Sequence, residues 1–107
     1  MPAKETIRVR AARQKDRFND PIGPLPAWRT VPGATVVPRN SNEYEQRGPI
    51  IIAGFMIVLP GQIRDSEGAT VELADDWEIE VRGDVYQIEG AIADYGRRII
   101  FYVMRAQ

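Results

Sequence analysis

The sequence contains neither cysteine nor histidine among its 107 residues. The first absence excludes disulfides, a thiol nucleophile and a zinc knuckle. The second removes the commonest general base near neutral pH and the commonest metal ligand. Long apolar runs are also lacking: the longest, Ile50 to Leu59, falls far short of the roughly 20 residues of a membrane span. The N-terminus lacks the apolar core of a signal peptide, so an intracellular, soluble protein is expected. No nucleophile–base pair, cofactor loop or phosphate-binding glycine pattern is present, so neither catalysis nor a cofactor is expected. A chain of this length forms one domain with a modest core.

What is present is alternation. Trp77, Ile79 and Val81 alternate with Glu78, Glu80 and Arg82, the period of a half-buried strand. Gly83-Asp84 suits a two-residue hairpin loop, and Tyr86 and Ile88 then alternate with Gln87 and Glu89. With Gly83-Asp84 as the loop, Val81 faces Tyr86 and Ile79 faces Ile88, which gathers the apolar partners on one face. The same register sets Glu78 opposite Glu89, a like-charge pair that a basic partner would relieve.

The rest of the chain reads as further strands and turns. Thr6-Ile7-Arg8-Val9-Arg10 alternates as a short strand with arginines on its exposed face. Residues 11–18 have some helical propensity but no clean apolar stripe. Asp20-Pro21, Gly23-Pro24 and Leu25-Pro26 make the next stretch extended loop. Trp28 either covers a core edge, the preferred reading, or anchors this arm on another subunit. Ala34 to Val37 reads as a short strand stopped by Pro38. A polar loop, 39–48, comes next. The apolar run from Ile50 to Leu59 is β-branched enough to be a central strand, where Gly54 suits a bulge or bend. Pro60-Gly61 ends it. Ala69 to Leu73 is a weaker strand, residues 91–96 turn the chain, and Arg98 to Met104 forms the last strand. About six strands with frequent turns and no helix predict an all-β protein, a small antiparallel barrel or sandwich with long loops. Within a single domain, residues 1–32 are expected to form a basic, proline-rich N-terminal arm and strand and 33–107 the barrel core.

Charge is unevenly spread over a chain of net charge −1. From Gln62 to Asp94 there are ten acidic and two basic residues, a net −8, and the remainder carries +7. The split gives either two solvated faces or a bipolar subunit that meets copies of itself or an oppositely charged partner. Candidate contacts are Arg8, Arg10, Arg13, Phe18 and Trp28 on the arm, and Asp75, Asp76, Glu78 and Glu89 around the hairpin. Glu72, Asp75, Asp76 and Glu78 lack the loop spacing of an EF-hand, so a solvated or partner-facing edge is preferred to a cation site. Arg82-Gly83-Asp84 spells the integrin-binding tripeptide, but three residues are a weak signal and the turn accounts for two of them. A nucleic-acid-binding barrel should show a basic face interleaved with aromatics, whereas the hairpin and its approach are acidic.

Four pieces in order resemble the head–tail stopper (head-closure) proteins of long-tailed phages, especially those of actinobacterial hosts. They are Asp16-Arg17-Phe18-Asn19-Asp20-Pro21-Ile22-Gly23 after an early strand, and Val31-Pro32-Gly33-Ala34-Thr35-Val36-Val37-Pro38-Arg39. The third is the polar loop closing on Arg47-Gly48 before an apolar strand that ends in Pro60-Gly61. The fourth runs from Ile79 to Gly90. Together they span nearly the whole chain. The link from Gln62 to Asp76 is longer than is usual in that family, and the segment 91–96 is shorter and lacks tryptophan.

The resemblance implies a virion protein, made in the host cytoplasm and placed in the phage neck. There a β-barrel subunit would form a ring, commonly of six, beneath the portal and adaptor. It would close the DNA channel after packaging, contact the packaged DNA without sequence preference, and present a surface to the tail terminator and tail tube. Neither cofactor, catalysis nor membrane enters that role. By position, the family's channel-closing loop corresponds to Arg39, Asn40, Asn42, Glu43, Tyr44, Glu45, Gln46 and Arg47. A tail terminator or another minor neck or capsid component is the nearer alternative. A stand-alone nucleic-acid- or peptide-binding barrel is the more distant one.

Overall fold

The computed structural model describes residues 4–39 and 54–105. These form six strands: β1 (Lys4–Arg10), β2 (Arg29–Arg39), β3 (Gly54–Pro60), β4 (Glu78–Val81), β5 (Asp84–Asp94) and β6 (Arg98–Arg105). All pairings are antiparallel, and the sheet closes as a barrel in the order β1-β2-β3-β6-β5-β4. The all-β barrel expected from alternation is therefore what forms. It consists of two three-stranded meanders, β1-β2-β3 and β4-β5-β6, joined along the β3–β6 and β1–β4 seams. Closure leaves no continuous sheet edge bare.

Inward positions supply the core. Ile7, Val9, Val31, Val36, Ile57, Leu59, Ile79, Val81, Phe101 and Val103 are all essentially inaccessible to solvent. Phe55 and Tyr86 meet edge to face at 5.3 Å near one end, an arrangement favoured by the aromatic quadrupole. The connection between β3 and β4 folds across the other end. It places Ile63 and Val71 in the core and leans Leu73 and Trp77 against it. Residues 69–73 contribute one isolated bridge, Arg64↔Thr70, rather than the weak strand expected there.

The N-terminal strand is a stave of the barrel and not part of an arm outside it. Ile7 and Val9 are in the core, and β1 pairs with both β2 and β4. Among the described residues before β2, 11–28 lie outside the strands, and they form no helix. β2 is also longer than the short strand read from Ala34 to Val37. Pro32 and Gly33 sit together opposite Thr6, a bulge that admits the proline without breaking the strand. Pro38 lies beyond Thr35, the last β2 residue paired with β1 among the described residues. β5 likewise runs through Gly90 to Asp94, with a register shift between Glu89 and Ala93 where a turn was expected.

The β4–β5 hairpin forms with its apolar face as expected but one loop position earlier. Ile79 pairs with Tyr86, Glu80 with Val85 and Val81 with Asp84, so the loop is Arg82-Gly83. Both loop residues have positive φ, 53° and 89°, as a type I′ loop requires. A one-residue loop shift changes the pairing sum by two and keeps every side chain on its face. Glu78 consequently faces Gln87, and Glu89 faces Tyr102 across β6, so the like-charge pair does not arise. Gly54 marks a close approach rather than a bulge: a Cβ there would lie 1.9 Å from the Val103 carbonyl oxygen.

Candidate interaction surface

The β1–β4 seam sets alternate residues face to face. Val9 meets Ile79 inside, while Arg8 meets Glu80 and Arg10 meets Glu78 outside. The Arg8 guanidinium donates to both Glu80 carboxylate oxygens, and Arg10 donates to Glu78 Oε1 at 2.6 and 3.0 Å. Trp28 covers this ladder, with the Arg10 guanidinium 4.3 Å and the Arg8 guanidinium 5.3 Å from its ring. The indole thus stacks on two cations of its own chain. Four of the residues picked out in the sequence, Arg8, Arg10, Trp28 and Glu78, are brought together here, on one another.

The same pattern extends around the molecule. Arg82 reaches back from the hairpin loop to Glu5, at 2.6 and 3.0 Å, and its guanidinium stands over Phe55. That contact holds a non-glycine residue at positive φ. Arg39 donates to Glu89 at 3.0 Å and lies 4.5 Å over Tyr102. Arg105 approaches Asp84. Arg29 donates to Asp65 at 2.8 and 3.0 Å and to the Thr70 carbonyl, while the Ser66 N–H donates to the Thr30 carbonyl. These bonds tie the end-capping connection to β2. In five of the six pairs among the described residues the arginine comes from the basic part of the sequence and the acid from 62–94; Arg82–Glu5 is the converse. The two halves of the charge split therefore meet within one subunit.

Two carboxyls are held low by these contacts. The Arg29 guanidinium, helped by the Ala69 and Glu67 backbone N–H groups, holds Asp65 below the usual carboxylate range. Arg82 does the same for Glu5, and Glu5 in turn raises Arg82. Glu80 raises Arg8 in the same way. These are the signatures of structural ion pairs and not of a site tuned for proton transfer.

Residues 11–28 make an exposed excursion with its own internal order. Asp16 Oδ1 accepts from the Phe18 and Asp20 N–H groups, Lys15 bridges to Pro21, and Ile22 N–H donates to the Gln14 carbonyl. Arg13 donates to the Gly23 carbonyl. Phe18 is 70 % exposed, Ile22 and Leu25 are exposed as well, and Arg17 stands over the Phe18 ring. Asp75 and Asp76, the remaining acidic candidates, are exposed and make no ion pair among the described residues. Glu78 belongs to Arg10, and no group of acidic residues among those described could hold a metal ion. Of the candidate channel loop only Arg39 is described; Asn40, Asn42, Glu43, Tyr44, Glu45, Gln46 and Arg47 lie outside the described residues.

A further surface was not singled out in the sequence. Lys4, Arg97 and Arg98 line a groove of about 380 Å³ with Val58 and Pro60, and Arg97 and Arg98 also line a neighbouring one of about 450 Å³ with Tyr95 and Ile100. Its one signal in the sequence was the adjacent pair Arg97-Arg98 in a turn. No family model matches the chain, and no curated protein and no solved structure is significantly similar to it.

Proposed function

We propose that this chain is a structural subunit of the neck of a long-tailed phage, a head–tail stopper that assembles as a ring below the portal and adaptor. The observation that supports the reading is how the four resembling pieces fall on the fold. The Asp16–Gly23 piece forms the ordered excursion at one barrel end, and Val31 to Arg39 lies within β2. The Pro60-Gly61 piece ends β3, and the Ile79 to Gly90 piece is the β4–β5 hairpin. Pieces that are weak as isolated strings thus fall in order on parts of one barrel, the third only through β3 and its Pro60-Gly61 end among the described residues. The exposed Phe18, Ile22 and Leu25, beside Arg13, Lys15 and Arg17, give the excursion the character of a contact arm.

A phage lacking this chain provides the test. Heads should fill with DNA and then lose it, free tails of normal length should accumulate, and supply of the chain in trans should restore joined particles. Overlong tails with stably filled heads would assign a terminator role instead. Joined, infectious particles without the chain would remove it from the neck altogether.

A further inference from the structure

Outside the six ion pairs among the described residues, charge remains on the excursion (Arg13, Lys15 and Arg17), at Arg64 and Glu67, and at two further places of opposite sign. Lys4, Arg97 and Arg98 have no carboxylate partner among the described residues, and neither do Glu72, Asp75 and Asp76. The one acid near the basic groove, Asp94, is turned into its own hairpin, where it accepts from the Gly96 N–H at 2.8 Å. Tyr95, 66 % exposed, stands beside the arginines.

Within one subunit the two places are not paired: no ion pair joins them among the described residues. In the closed order β1-β2-β3-β6-β5-β4, β3 and β4 are three staves apart, on opposite sides of the barrel. The basic groove sits where β3 ends and β6 begins, and the acidic segment 72–76 leads directly into β4. One subunit does not pair them. Two copies can, and because the patches differ the contact is head to tail.

We propose that the groove around Arg97 and Arg98 receives the acidic segment 72–76 of a second copy of this chain. Asp75 and Asp76 meet the two guanidiniums, Glu72 meets Lys4, and Val58, Pro60 and Ile100 offer the apolar floor. Guanidinium–carboxylate pairs shielded by a tyrosine orient the approach, since rim charges govern encounter and register more than affinity. The contact concerns the chain in solution and holds for any head-to-tail oligomer, whether or not the neck reading is right.

The absence of cysteine makes the test clean. Full-length Asp75→Cys and Arg98→Cys chains, mixed and mildly oxidised, should give a mixed disulfide well above the statistical share. The doubly substituted chain should give a ladder of covalent multimers. In sedimentation at low salt, Arg97→Glu with Arg98→Glu should weaken self-association about tenfold or more. Asp75→Arg with Asp76→Arg should do the same, and mixing the two variants should restore association through swapped charges. Disulfides formed in statistical proportion, or no rescue on mixing, would assign the groove to some other partner and overturn the proposal.

Discussion

Single residues carry two kinds of constraint in this barrel, contact distance and charge. Gly54 shows the first. A Cβ at that position would sit 1.9 Å from a backbone oxygen of β6, an atom that cannot swing aside. Gly54→Ala should therefore force β3 and β6 apart, at a cost of about 1–3 kcal/mol typical of overpacking, read as a lower denaturant midpoint at unchanged m-value. Unchanged stability would mean the two strands are not that close. Asp65 shows the second. Its carboxyl is only 8 % exposed and is held low by Arg29 and two backbone N–H groups. A carboxyl whose folded pKa lies below its unfolded value of about 4 contributes stability above that pH and loses it as the pH falls through the folded value. Glu5, depressed by Arg82, acts in the same sense. The thermal midpoint should hold between pH 6 and 5 and fall below about pH 4. Asp65→Asn should be less stable at pH 7 and show a shallower acid limb, so the two curves converge at low pH. Parallel curves would show that Asp65 gains nothing from Arg29.

The elements divide into staves and excursions, and sequence alone did not say which part of residues 1–32 was which. Alternation located β1, β4 and the first half of β5 because a period of two survives any context, and it set the correct inward face of the β4–β5 hairpin. It left the loop ambiguous: Arg82-Gly83 and Gly83-Asp84 keep identical faces, and the choice rests on Glu5, a residue 77 positions away, reaching Arg82. For the same reason the candidate charges were legible as charges but not as pairs. Arg8 and Glu80 meet only because β1 closes the barrel against β4, a pairing that no local pattern encodes. The proline-rich composition near the N-terminus suggested an arm and strand over 1–32, of which β1 and the start of β2 are staves. Deleting residues 1–10 should therefore unfold the protein, because it removes Ile7 and Val9 from the core and bares the edges of β2 and β4. Replacing 14–23 with a short Gly-Ser linker should be tolerated, since the Arg13 side chain already touches Gly23 and Gln14 bonds Ile22, so the ends to be joined are close. Its cost should stay within about 1 kcal/mol. Circular dichroism and a denaturation curve on each variant decide the matter. A folded 1–10 deletion would return β1 to the arm.

At the scale of the whole molecule, the charge split is an instruction for closing one chain on itself. Residues 1–60 carry nine basic and five acidic residues, and 61–107 carry five and ten. The first set contains the β1-β2-β3 meander and the second β4-β5-β6. Five of the six ion pairs among the described residues cross between them, along with both seams. Either meander alone would expose one apolar face and two bare edges, which three strands without a covering layer do not withstand. Peptides 1–60 and 61–107 should accordingly be unfolded or aggregated in isolation and regain the native spectrum when mixed. Their opposite net charges, +4 and −5, should steer the encounter, so the association rate should fall steeply with salt. Dissociation should respond much less, because exposed ion pairs contribute only about 0–1 kcal/mol each and apolar burial holds the closed barrel. Association at the same rate in low and high salt would reduce the split to surface solvation, and a folded isolated half would show that one meander carries a core of its own.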